Sequence, residues 1–261
     1  MMAHLKSWLS RRKPRHGVVK FYPSFESAAK QTTTYFDPDI VEVVVEKTKR
    51  LKTALPDFLD RQQTQNHFVF SRLAQQTSTN KINIMDWGGA AGASYFLLKA
   101  QFGNQIRQWQ VVETRPMAAG ATSLADDKLS FTSSLDEVSF DKTNSFLWAQ
   151  GILNFIDDPL DQLRGVLKKE YKGVYISRTS FTENQAPLIY RFEAPLQNHG
   201  PGTLKGGKEK ITSYPFTLIS WPHLRQLLDE TGYEVHSLFD EGTETLNDQL
   251  ILVRGLLAFK K

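Results

Sequence analysis

One stretch constrains this chain more than any other: Ile84-Met85-Asp86-Trp87-Gly88-Gly89-Ala90-Ala91-Gly92. An apolar run ends in an acid and then turns on glycines, and the pattern that follows, Ala93–Phe102, is helical. Glycines at a strand-to-helix turn let the backbone approach a ligand with its N–H groups facing it. The next apolar run, Gln110-Val111-Val112-Glu113, ends in a second acid 21 residues after Gly92. An acid so placed accepts hydrogen bonds from the ribose hydroxyls of an adenosine. The dinucleotide pattern G-x-G-x-x-G fails here, because it would need glycine where Ala90 and Ala93 stand. The pattern D-x-G-x-G-x-G fits at Asp86, Gly88 and Gly92, with Ala90 replacing its middle glycine. A carboxylate before the turn suits a ligand with an ammonium group better than one with a pyrophosphate. The residues therefore favour S-adenosylmethionine over NAD, while an NAD-dependent oxidoreductase and a non-catalytic Rossmann-like scaffold remain alternatives.

The surrounding texture supports an α/β domain. From Lys81 onward, short apolar runs alternate with amphipathic stretches, which implies a parallel doubly wound sheet. Strands are expected at 82–86, 109–113, 129–131, 145–149 and 173–177, and helices at 93–102, 117–125, 160–171 and 221–230. The last two strands, 233–239 and 250–259, leave no room for a crossover helix and should form a hairpin. Upstream, residues 21–78 read as a helical cap. Ser24 caps a short helix, Asp37-Pro38 opens a longer one, and a third covers 58–76. Residues 179–216 break the rhythm. They carry four prolines and four glycines, and are expected to form a long structureless insertion on the substrate side.

Charge locates a further segment. Residues 1–20 hold six basic side chains and no acid, so removing them from the 32 Lys and Arg leaves 26 against 28 acids, a net charge of −2 for the rest. Such a body lacks the broad basic face of a nucleic-acid binder. The 1–20 stretch reads as a flexible basic arm, with weak peripheral membrane contact as the sharper alternative. No run is long and apolar enough to span a bilayer, which points to a cytoplasmic protein, at most touching the inner face of the membrane. The absence of cysteine excludes thiolate metal sites and a cysteine nucleophile. The histidines show no paired spacing, so no metal is expected.

The motifs resemble a family of S-adenosylmethionine-dependent methyltransferases with a D-F-G-G-A-x-G-x-x-Y-F signature, often encoded near surface-polysaccharide genes. Here the signature runs from Asp86 to Phe96. Further matches are Trp109-Gln110-Val111-Val112-Glu113, Leu129-Ser130-Phe131, Ile152 to Pro159, Arg178-Thr179-Ser180-Phe181, Ser213-Tyr214-Pro215, and an opening at Ser24–Ala28 with Tyr35. Asn154 and Ser180 depart from the family pattern. The resemblance implies a Rossmann-like class I methyltransferase fold, with a mostly parallel seven-stranded sheet that ends in a β-hairpin. It implies that Gly88, Gly89, Ala90 and Gly92 line the cofactor, Asp86 faces its ammonium, and Glu113 binds its ribose. Ser134 and Leu135 would flank adenine, while Gln150 and Gly151 would lie near the methionine end. For the acceptor, expected to be a small molecule or a glycan-related compound, the candidates are Arg178, His199 and Tyr214.

Overall fold

The computed structural model describes residues 20–261, apart from 31, 33–34, 56–58, 139, 141–143, 205–208 and 248. The basic arm lies outside the described residues except for Lys20.

Three helices precede the sheet's central strands. In α1 (Phe25–Ala29) the Ser24 and Ser27 side chains cap each other's backbone. In α2 (Pro38–Thr53) the Asp37 carboxylate accepts from the Asp39 N–H at 2.9 Å, with proline in the first turn. Val43, Val44 and Val45 favour strands locally, yet all are buried in this helix, so tertiary packing overrides propensity. In α3 (Arg61–Ala74) Asp60 and Gln63 form a reciprocal capping box. Its described start is three residues later than expected, because the cap is Asp60 and Phe58 lies outside the described residues.

The strand β1 (Phe21–Tyr22) belongs to the sheet's far edge. The sheet is centred on β2 (Ile82–Trp87), which pairs in parallel with β3 (Ile106–Val112) and β5 (Ser145–Gln150). Outside them lie β4 (Leu129–Thr132) beside β3 and β6 (Gly173–Thr182) beside β5, again in parallel. The terminal strands β9 (Tyr233–Leu246) and β10 (Gln249–Lys260) form the expected hairpin, with β10 antiparallel to β6. Helices α4 (Ala93–Phe102) and α5 (Arg115–Ala121) cover one face, together with α2 and α3. Helices α6 (Pro159–Leu167) and α7 (Trp221–Glu230) cover the other. This is the mixed α/β, doubly wound, Rossmann-like arrangement that the class I resemblance implies. A Cβ on Gly120 of α5 would come within 2.5 Å of Val41, so a glycine permits the close approach of α2.

The segment 179–216 corrects the expectation of a structureless insertion. The strand β6 continues to Thr182, and β7 (Leu188–Pro195) pairs antiparallel with β8 (Ile211–Ser220). The end of β8 then joins β6 in parallel at Phe181–Ile219 and Thr182–Ser220, and β1 pairs with β7. Seven strands were expected; ten form one sheet among the described residues. The prolines misled because they punctuate this region rather than break it. Pro187 precedes β7, Pro195 ends it, and Pro215 lies where β8 has a partner on one side only, a position that tolerates a missing N–H. The β-branched and aromatic residues Ile189, Tyr190, Phe192, Phe216 and Thr217 favour strand.

Candidate active site

The glycine turn sits at the C-terminal end of β2, where open α/β sheets place their ligands. Gly88 and Gly92 adopt left-handed φ values of 71° and 79°. Ala90, standing in for the motif's middle glycine, is also left-handed, at 51°, a conformation that costs a non-glycine residue about 1–2 kcal/mol. Internal packing already demands two of the glycines. A Cβ on Gly88 would lie 2.6 Å from Ile152, and one on Gly89 would lie 2.3 Å from the Asp86 carboxyl group.

Two acids frame the turn, Asp86 buried and Glu113 half-buried. Asp86 is 1% exposed and accepts from Trp109 Nε1 at 2.9 Å. Burial is the main cause that lifts its pKa to about 7, opposed by the Trp109 bond and assisted by the charge of Glu113. Glu113 follows β3 and accepts from the N–H groups of Ala90 at 3.2 Å and Thr114 at 2.6 Å. Burial raises its pKa above the usual carboxylate value, against those backbone bonds. Ser134 caps a 3-10 turn at Leu135–Glu137, just beyond β4, and Leu135 packs on the α6–α7 face.

Gln150, at the end of β5, is the hub of a polar network that sequence reasoning did not find. Its Oε1 accepts from Ser94 Oγ and Trp148 Nε1, each at 2.9 Å. Its Nε2 donates to Asn66 Oδ1 at 2.8 Å and Ser177 Oγ at 2.9 Å. Tyr175 donates to Asn66 Oδ1 at 3.0 Å, and Gln65 Nε2 donates both to Tyr175 at 2.8 Å and to Glu241 at 2.6 Å. A signal did exist: Gln62, Gln65 and Asn66 recur at helical spacing, which puts three amides on one stripe of α3.

The acceptor candidates fall into two groups. His199 and Tyr214 come together, with the Tyr214 hydroxyl 2.8 Å from His199 Nε2 and Thr212 Oγ1 at 3.0 Å. Tyr35 packs on both rings, and Phe155, in the 3-10 turn after β5, packs edge-on against Tyr35 and Tyr214. Burial, helped by Lys47, pushes the His199 pKa down to about 4, so its imidazole is neutral at pH 7. Lys47 itself is buried and donates to the carbonyls of Gln197, His199 and Gly202, which ties this loop to α2. Arg178 stands in the other group, exposed at a left-handed position of β6 beside Gly151. Asn154 and Ser180, the two departures from the family pattern, prove to be partners. Asn154 Nδ2 donates to the carbonyls of Ser180 and Thr217, and its Oδ1 accepts from the Ser180 N–H.

Among the described residues, no cluster of potential ligands suits a metal ion, and no helix is long and apolar enough to cross a membrane. No protein-family model matches the chain, and no match is found among curated proteins. Solved structures similar to it include an amino pentose methyltransferase from Micromonospora echinaspora with bound S-adenosylmethionine, at 11% identity and a TM-score of 0.46, over 83% of this chain and 97% of that one. A sugar N-methyltransferase from Streptoalloteichus aligns at 12% identity and a TM-score of 0.49, over 75% and 86%. An S-adenosylmethionine-dependent methyltransferase from Clostridium acetobutylicum aligns at 9% identity and 0.49, over 82% and 98%.

Proposed function

We propose that this chain is an S-adenosylmethionine-dependent methyltransferase acting on oxygen or nitrogen of a small-molecule or glycan-related acceptor. The observation that carries the reading is the pair of carboxylates at one glycine turn, Asp86 buried and Glu113 half-buried. Two acids there disfavour a pyrophosphate and favour a cationic ligand. When bound, S-adenosylmethionine supplies a methyl group on a sulfonium. Asp86 would hold the ammonium of the methionine end, and the Gln150 network would fix the strand end beside it. Glu113 would accept the ribose hydroxyls. Ser134 and Leu135 would flank the adenine, and Gly151 would leave room at the methionine end. His199, neutral and bonded to Tyr214, has the protonation state of a base that takes a proton from an acceptor hydroxyl. Arg178 would orient the acceptor by charge. The helical cap 21–78 and the strands within 179–216 would together build the acceptor side of the domain at 79–261. We place the protein in the cytoplasm.

Calorimetric titration with S-adenosylmethionine, S-adenosylhomocysteine and NAD tests this reading. Binding of the first two and not NAD is expected. NAD alone would make the chain an oxidoreductase candidate, and no binding at all would favour a scaffold. Glu113→Ala should weaken S-adenosylhomocysteine binding by about tenfold or more, since the ribose loses a charged acceptor. Unchanged affinity would remove Glu113 from the site.

A further inference from the structure

Two irregularities in neighbouring strands meet at Gly255. In the β6–β10 register, Thr179 faces Arg254 and Ile176 faces Leu256, so Ser177 and Arg178 together stand opposite Gly255. In the β9–β10 register, Asp240 faces Arg254 and Gly242 faces Val253, so Glu241 is an extra residue in β9. Bulges of this kind re-aim a side chain and tend to lie beside active sites. Here the Glu241 side chain turns inward and is buried. Its Oε2 accepts from the Arg178 N–H at 2.6 Å, and its Oε1 accepts from Gln65 Nε2 at 2.6 Å. One carboxylate thus satisfies the backbone donor of the one left-handed residue in β6. Gly255 makes room for it: a Cβ there would lie 2.6 Å from Glu241 Oε1 and 2.9 Å from Gln65 Nε2. The result keeps the Arg178 side chain exposed in the middle of β6, one residue beyond Ser177, the last to pair with β5, while Ser177 and Thr179 on either side are buried. A Cβ on Gly151 would lie 3.8 Å from Arg178 Cβ, so the base of this side chain stands beside Gly151, at the expected methionine end of the cofactor site.

We propose that Glu241 is a positioning residue that holds Arg178 ready to receive an anionic oxygen group, such as a phosphate, on the methyl acceptor. The proposal rests on the methyl-transfer reading for its setting. Inorganic phosphate is the probe, titrated by calorimetry into the full chain, both bare and saturated with S-adenosylhomocysteine. The wild type is expected to bind phosphate at millimolar concentration, and Arg178→Ala to weaken it roughly tenfold. Glu241→Ala should weaken it about threefold or more, while Glu241→Gln, which keeps an acceptor for the Arg178 N–H, should stay within about twofold of wild type. Should the alanine variant fail to fold, Glu241→Asp, which draws the carboxylate back by one methylene, is expected to show the same loss with its melting transition retained. Phosphate affinity unchanged in Glu241→Asp, equal losses in the glutamine and alanine variants, or no phosphate binding by the wild type would each overturn the proposal. Failure of S-adenosylhomocysteine to bind, with phosphate still binding the bare chain, would instead sink the methyl-transfer reading.

Discussion

Replacing Asp86 with asparagine isolates the energetic cost of a buried acid. The carboxylate is 1% exposed, with Trp109 Nε1–H as its hydrogen-bond donor at 2.9 Å, and Glu113 adds a like charge nearby. Its pKa rises from 3.8 to about 7. Between those values the folded chain keeps the proton while the unfolded chain releases it. The unfolded state then binds fewer protons, so stability falls as pH rises. Each pH unit in that window costs about 1.4 kcal/mol, which amounts to about 4 kcal/mol by pH 7. Above pH 7 both states are ionised and the loss levels off. Asparagine has no proton to lose and keeps a carbonyl oxygen for the Trp109 N–H. The variant should therefore gain on the wild type from pH 4 to pH 7 and stay constant beyond. His199 has the opposite pH dependence in nearly the same window, but it is common to both proteins and cancels in the difference. Urea unfolding of each protein at several pH values from 4 to 8 provides the comparison. A difference that does not change with pH would refute the reasoning, because it would mean that Asp86 titrates alike in both states. On the proposed function, the stabilised variant should also bind S-adenosylhomocysteine more weakly, because the charge facing the ammonium is gone.

Other perturbations have definite expectations. His199, depressed to about 4, should contribute stability that is complete above pH 6.5 and lost as pH falls from 6.5 to 4; His199→Gln should flatten that part of the curve measured by denaturant titration. Gly89→Ala would drive a methyl group into the Asp86 carboxyl group at 2.3 Å, so a loss of about 1–3 kcal/mol in chemical denaturation is expected, together with loss of S-adenosylhomocysteine binding. Asn154→Ala strands the Ser180 N–H and the carbonyls of Ser180 and Thr217, which should cost about 3 kcal/mol by the same assay. A melting point within a degree of wild type would contradict that account.

The sequence was most readable where local chemistry and tertiary role agree. The turn from Asp86 to Gly92, the Asp37-Pro38 helix start and the closing hairpin all declare themselves through residue types with narrow backbone preferences. The strands β7 and β8 were obscured because proline and glycine content suggests a loop, whereas a strand with one free side can accommodate Pro215. The polar network at Gln150 was hidden for a different reason. Gln62, Gln65 and Asn66 resemble an ordinary wet helix face until the fold sets them against Tyr175, Ser177 and Glu241. Glu241 itself lies in an alternating strand whose register slips by one residue, and no local pattern marks that slip.

The length of β6 has a mechanical consequence. Its first half pairs with β5 and its last two residues with β8, so a single ribbon carries both the cofactor-side strand ends and the sheet that presents Tyr214. The β7–β8 sheet is thus a cantilever built into the main sheet, pinned at its root by Asn154, rather than a flap hung on a hinge. The cap is tied to the same framework, because Tyr35 packs on Tyr214 and β1 pairs with β7.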